Sequence, residues 1–132
     1  MPTLVFDEVD AGVGGAVAWQ VGALMRRVAS HHQVLAISHL AQIAARAHHH
    51  VVVHKSAVGT VTTADTTIVT GDARITEVAR MLGGDADREV SRAHARELIE
   101  RGEDVEVPAA ATRDNAAADR SRKGAQRRGK PV

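Results

Sequence analysis

Short apolar runs alternate with amphipathic stretches along the first half of the chain. Strands are predicted over residues 3–7 and 34–37, because uninterrupted apolar runs are typical of strands buried on both faces of a parallel sheet. Between them, apolar side chains recur at helical spacing and predict a helix over residues 16–29, with Trp19 off the apolar stripe and expected to contact a neighbouring element. The stripe consists of Val17, Val21, Leu24, Met25 and Val28. With a short helix over residues 40–46, this order predicts a βαβ unit with parallel strands.

The second half begins with β-branched segments. Residues 51–55 and 60–70 predict two antiparallel strands, separated by a turn at residues 56–59. Asp72 is then expected to cap a helix over residues 73–82. The apolar face of that helix is Ile75, Val78, Ala79 and Leu82, and Gly83 is its expected stop. A charged helix is predicted over residues 88–101.

Composition separates a folded part from a basic end. The chain has 132 residues, enough for one core, and because it lacks cysteine we exclude a disulfide scaffold and any thiolate site. No apolar run approaches the length of a membrane span. We predict one domain over residues 1–102 and a disordered basic tail over residues 103–132. The tail would contact DNA phosphates non-specifically or serve only as a solubilising end.

Polar side chains that could bind a metal ion or take part in catalysis follow both predicted parallel strands. Asp7 and Glu8 end the first strand and His39 follows the second, so all three should meet at the edge where open α/β sheets bind ligands. One carboxylate there can hold Mg²⁺ through water, and its neighbour can polarise a water for attack on a phosphate. The alternatives are a solvated acidic turn and a histidine that caps the second helix. A metal site at His48, His49, His50 and His54 is disfavoured, since adjacent strand residues face opposite sides.

Several longer segments resemble one known family. Leu-Val-Phe-Asp-Glu-Val-Asp-Ala-Gly-Val-Gly-Gly at residues 4–15 and Gln-Val-Leu-Ala-Ile-Ser-His-Leu-Ala-Gln-Ile-Ala-Ala at 33–45 closely resemble the C-terminal part of the bacterial RecN family. This family lies in the SMC-like branch of the ABC ATPases. The segments at 73–84 and 93–99 look like its closing helices, so the resemblance covers about residues 3–101.

The resemblance implies an α/β fold, namely the C-terminal lobe of a P-loop ATPase head. It implies a parallel βαβ core followed by an antiparallel hairpin and C-terminal helices. Asp7 would be the Walker B aspartate that holds Mg²⁺ through water, Glu8 the catalytic glutamate, and His39 the switch histidine near the γ-phosphate of ATP. The residues matching the D-loop would contact the cofactor or a second head, and they are Asp10, Gly12, Gly14 and Gly15. A plain flexible turn is the alternative for these glycines.

The family's phosphate loop does not occur in the sequence, and neither does its coiled-coil arm. The chain alone is therefore expected to have negligible ATPase activity and to be marginally folded or to aggregate. The intact protein would act in recombinational repair of DNA double-strand breaks. Its expected partners are ATP, Mg²⁺, DNA, and either a second head or the missing N-terminal lobe, in the nucleoid-associated cytoplasm and not at a membrane. The alternatives are a non-catalytic interaction or DNA-binding fragment, and part of another ABC-type ATPase.

Overall fold

A computed structural model describes residues 1–104. The predicted basic tail therefore lies outside the described residues, apart from residue 103, which still belongs to the last helix, and residue 104, which follows it. Along the described part the order is strand, helix, strand, helix, two strands and two helices, as the sequence predicts. No helix within residues 1–104 is both long enough and apolar enough to cross a membrane.

Strands β1 (Thr3–Asp7) and β2 (Gln33–Ile37) pair in parallel. Their register is continuous, from Thr3 opposite Gln33 to Asp7 opposite Ile37. Helix α1 (Gly15–Val28) connects them, so the predicted parallel βαβ unit is confirmed. Because the strands run in the same direction, their carboxyl ends lie at the same edge of the sheet.

The prediction that these strands are buried on both faces is wrong for the described residues. Val5, Leu35 and Ile37 are 67%, 49% and 60% exposed, whereas Leu4 and Phe6 are partly buried. The sheet that contains β1 and β2 has two strands within residues 1–104, and no described element covers the Val5 face. An apolar run indicates which side chains suit burial, but only a neighbouring layer can bury them.

Helix α1 packs most closely through its small residues, and the predicted apolar stripe is buried only in part, since Val21, Met25 and Val28 are partly buried. Val17 and Leu24 are more than half exposed, while Ala18 and Gly22 are buried. A Cβ at Gly22 would lie 3.3 Å from the backbone oxygen of Gln42, so the missing side chain allows close contact with helix α2 (Ala41–Ala44). The stripe prediction is confirmed only in part, because close helix packing here depends on small residues, which a hydrophobicity pattern does not weight.

Trp19 does contact a neighbouring segment, as predicted. The guanidinium of Arg46, just after α2, lies 3.8 Å from the centre of the indole ring. Arg101 approaches the same ring at 5.1 Å. Trp19 also packs against the main apolar core, so its side chain links α1 to the region after α2 and to the C-terminal helix.

A long hairpin follows α2. Strands β3 (His50–Val58) and β4 (Val61–Val69) pair antiparallel from His50 opposite Val69 to Val58 opposite Val61. The antiparallel prediction is confirmed, but β3 continues to Val58, through most of the turn predicted at residues 56–59. The connection is shorter, and Gly59 supplies its positive φ of 63°.

Two helices complete the described fold. Helix α3 (Gly71–Met81) begins after Thr70, so the prediction that Asp72 caps it is wrong. Asp72 instead lies in the first turn and pairs with Arg92 of helix α4 (Glu89–Glu103). The predicted stop is confirmed, since Gly83 follows the helix with a φ of 77°. A left-handed residue just after a helix favours glycine.

The main core lies where α2, α3 and α4 meet. Val78 and Ala79 of the predicted α3 face are fully buried, which confirms that part of the pattern. Ile75 and Leu82 are partly buried against this cluster. The buried core residues are Ala41, Ala45, Val78, Ala79, Ala95 and Leu98. Because four of the six are alanines, the helices approach closely and the core offers little side-chain volume.

Candidate functional site

The candidate site lies at the carboxyl edge of the β1–β2 sheet. Asp7, the last residue of β1, is opposite Ile37, the last residue of β2. Glu8 follows the first strand directly, and Ser38 and His39 follow the second. The predicted proximity of these two segments is confirmed, because side chains on both sides of the edge are joined by hydrogen bonds.

Asp10 makes that connection. Asp10 is buried, with 3% of the residue exposed. Its Oδ2 accepts hydrogen bonds from the Ser38 hydroxyl at 2.5 Å and from the His39 backbone N–H at 2.8 Å. The Nδ1 atom of the His39 ring lies 3.0 Å from the same oxygen. Ser38 Oγ in turn accepts from the Leu40 backbone N–H at 3.0 Å. One buried carboxylate therefore fixes the loop after β1 to the segment between β2 and α2.

These contacts keep Asp10 ionised. Burial acts to raise the pKa of this carboxyl, but the hydrogen bonds from Ser38 and from the His39 backbone outweigh it, so the pKa of Asp10 is lowered from its ordinary value of 3.8. An ionised carboxylate is only an acceptor, which suits an oxygen surrounded by donors. The network is therefore fully formed at neutral pH.

Asp7 and Glu8 have a different environment. Both residues are exposed, and within residues 1–104 neither side chain makes a hydrogen bond or ion pair with another protein group. Their oxygens are free to meet a solvated cation or a water molecule, as the sequence-based hypothesis requires. The structure thus separates two outward carboxylates at the edge from one inward carboxylate, Asp10, beneath it.

Glu8 has an unusual backbone. Its φ is +52°, and no other non-glycine residue among residues 1–104 has a positive φ. Left-handed backbone costs an L-residue with a side chain about 1–2 kcal/mol, and such residues cluster at functional sites. The chain reverses immediately after Glu8, where the Ala11 N–H donates to the Glu8 carbonyl at 3.2 Å. This turn is what brings Asp10 back under the edge.

The glycine-rich loop follows this turn. Gly12 has a φ of +72°, which favours glycine, and a Cβ at either Gly12 or Gly14 would meet nothing within 4 Å. At Gly15 the nearest atom to such a Cβ would be the Gln42 side chain, at 3.4 Å. The loop is therefore open toward solvent. Its contact with a cofactor or second head stays a prediction.

The alternative role for His39, as a cap of α2, is wrong. The N-cap of α2 is Leu40, and no side-chain hydrogen bond caps that helix. The His39 side chain is 77% exposed and bonds to Asp10 instead. Ser38 is the site residue that the sequence prediction missed. Its signal was present, since it follows β2 directly and precedes the candidate histidine.

The acidic edge suits a magnesium ion bound through water. Among the described residues, no three His, Asp or Glu side chains are placed to ligate one ion, so a cage of protein ligands is not built here. Mg²⁺ commonly keeps several waters and takes only one or two carboxylates along with substrate phosphates. Exposed Asp7, with Glu8 beside it, fits that kind of binding. His50 is buried while His48 and His49 are exposed, so the histidine run does not converge.

Comparison with known proteins gives a consistent set of relatives. Over 98 residues the chain is 51% identical to the DNA repair protein RecN of Deinococcus radiodurans. These residues are homologous to the C-terminal part of RecN. RecN of Streptomyces coelicolor is 45% identical over 100 residues, and RecN of Mycobacterium leprae is 48% identical over 98. The alignments cover 74–76% of this chain but only 16–18% of each RecN. No protein-family model matches the chain.

Proposed function

We propose that this chain supplies the C-terminal lobe of an SMC-like ATPase head in a RecN-type DNA repair protein. The observation that carries the proposal is the parallel β1–β2 edge, where two outward carboxylates lie beside a histidine tied to the same loop. Homology to proteins named for DNA repair supports the biological context. Recombinational repair of double-strand breaks is the specific role proposed, in the nucleoid-associated cytoplasm.

Each outward group at the edge has a proposed task. Asp7 holds the water shell of Mg²⁺, and the bound ion would neutralise charge on the triphosphate of ATP. Glu8, whose left-handed backbone begins the turn directly after β1, orients and polarises the attacking water. The exposed imidazole of His39 contacts the terminal phosphate. Phosphate-loop groups are supplied by a different segment of the intact protein.

A chimaera tests this proposal directly. Residues 3–101 replace the matching C-terminal segment of Deinococcus radiodurans RecN, and ATP turnover is measured with Mg²⁺ present. We expect turnover comparable with that of the parent RecN, because the segment is 51% identical to it. Glu8→Gln should reduce kcat by about 10²–10⁴-fold, the usual contribution of a positioned proton acceptor. The 132-residue chain alone should show no turnover above buffer.

Matched variants separate chemistry from folding. Asp65 lies on the exposed hairpin opposite His54, so Asp65→Asn removes a carboxylate without touching the edge and should leave turnover unchanged. A folded chimaera whose turnover survives Glu8→Gln would contradict the catalytic role. A chimaera that binds DNA but hydrolyses no ATP would favour the non-catalytic interaction fragment instead. Survival after DNA breakage of a RecN-deficient strain that expresses the chimaera reports on the repair role.

A further inference from the structure

We propose that Asp10 is a positioning residue that holds the His39 ring with Nδ1 inward and leaves Nε2 as the nitrogen presented to a phosphate. This inference rests on the proposed function for the role of Nε2, but the ring orientation itself does not. It assigns Asp10 to the support of the switch histidine and not to direct contact with the cofactor.

The burial of Asp10 argues against a ligand-binding role. Only 3% of the residue is exposed, whereas Asp7 at the end of β1 and Glu8 directly after it are open to solvent. Its Oδ2 already has three donors within 3.0 Å, two of them from His39 and one from Ser38. An oxygen occupied in this way has no room for a metal or a nucleotide.

The same contact determines which nitrogen of His39 carries the proton. A carboxylate accepts hydrogen bonds and cannot donate them, so the favourable contact at 3.0 Å requires a proton on Nδ1. In the neutral ring Nε2 then carries no proton and can only accept, so a phosphate oxygen, which is also an acceptor, must be bound by the cationic ring, in which both nitrogens donate. Because the side chain is 77% exposed, the ring would otherwise rotate freely about its side-chain bonds.

The connection spans a long stretch of sequence. Asp10 and His39 are 29 residues apart, and the hydrogen bond from the His39 backbone fixes the main chain while Nδ1 fixes the ring. A displacement of the loop after Glu8 would therefore move the imidazole. The glycine-rich segment that begins next to Asp10 is thus mechanically joined to the histidine.

Nitrogen-15 NMR of the 132-residue chain tests the ring orientation without any nucleotide. Long-range proton–nitrogen spectra distinguish the two neutral tautomers of each imidazole, and exposed His31 and His94 serve as references in the same molecule. We expect His39 to carry its proton mainly on Nδ1 and the references to show the tautomer mixture of free histidine. In a chain whose dispersed backbone amide resonances show that it is folded, a His39 spectrum that matches the references overturns the proposal, and so does one with the proton mainly on Nε2. If the chain does not fold alone, the same spectra are recorded on the RecN chimaera with its histidines labelled.

Two variants assign the effect to Asp10. Asp10→Asn keeps an oxygen acceptor of the same shape but removes the charge, so the Nδ1-protonated share of His39 should fall toward that of His31. Ser38→Ala removes one donor to Asp10 and leaves the ring contact, so the tautomer should persist. An Asp10→Asn chain that is folded, as judged by the fluorescence of Trp19, and retains the parent tautomer contradicts the assignment.

A double-mutant cycle in the RecN chimaera tests the consequence for turnover. Asp10→Asn should lower kcat by about 10–100-fold, the usual effect of losing a group that orients a ligating side chain, with little change in KM. In a His39→Ala background the same change should have almost no further effect. Equal losses in both backgrounds would show a structural role only. If the chimaera is inactive, the proposed function fails while the tautomer result still decides the role of Asp10.

Discussion

Gly102 of helix α4 lies so close to a neighbouring backbone that the packing leaves no room for a side chain. A Cβ built at this residue of α4 would lie 2.3 Å from the Ala45 carbonyl oxygen and 2.9 Å from its carbonyl carbon. Real Cβ atoms essentially never come within 3.0 Å of such a neighbour, so the gap must widen by at least 0.7 Å. Both obstructing atoms are backbone, and Ala45 is fully buried. Gly102→Ala must therefore separate α4 from the end of α2.

Two opposing effects decide whether Gly102→Ala raises or lowers the free energy of unfolding. Alanine is favoured over glycine in a helix by about 0.5–1 kcal/mol. Overpacking a tight contact costs about 1–3 kcal/mol, and here no flexible side chain can move aside. Arg74 also donates to the Ala45 carbonyl at 3.4 Å, and displacing this oxygen would lengthen that bond. We therefore expect Gly102→Ala to lower the free energy of unfolding by about 1–2 kcal/mol.

Urea unfolding followed by the fluorescence of Trp19 measures this effect. Trp19 is the chain's single tryptophan and lies against Arg46 and Arg101, next to the altered contact. Glu100→Ala, which removes an exposed carboxylate side chain and leaves an alanine at the same end of α4, serves as the control and should change the free energy of unfolding by less than about 0.5 kcal/mol. A higher free energy of unfolding for Gly102→Ala would refute the close contact and show that helix propensity alone determines the effect of this substitution.

Three further measurements probe the edge and its support. Glu8→Gly should raise the free energy of unfolding by about 0.5–1 kcal/mol, because glycine adopts the left-handed backbone without strain. Asp7→Gly should lower it by a similar amount, because glycine gains more chain entropy on unfolding. Equal changes for the two variants in urea melts would contradict this reasoning. Because the pKa of Asp10 is lower folded than unfolded, its stabilisation is present above pH 3.8 and is lost as pH falls through the folded pKa. Acid titration by circular dichroism should therefore show a smaller loss below pH 3.8 for Asp10→Asn than for the parent. Arg74 donates to three carbonyls at and just after the end of α2, those of Ala44, Ala45 and Ala47. Arg74→Met should therefore lower the free energy of unfolding by about 1–3 kcal/mol, whereas Arg80→Met, at an exposed residue, should lower it by less than about 1 kcal/mol in the same melts.

Local patterns predicted the elements because each pattern lies within one element. The order of strands and helices, the parallel pairing of β1 with β2 and the hairpin all follow from periodicity and turn residues. Parallel pairing was enough to predict that Asp7, Glu8 and His39 meet at one edge. Boundaries were less certain, as at α3, where Thr70 and not Asp72 precedes the helix.

The sequence by itself thus determined which segments form strands and helices, and which polar residues share a sheet edge. Only the tertiary structure decided that Asp10 turns inward to His39, that α1 packs through Ala18 and Gly22, and that Gly102 abuts Ala45. The physical reason is that these contacts join residues far apart in the chain. Their geometry depends on how whole elements approach each other, which the spacing of apolar residues along one element does not record.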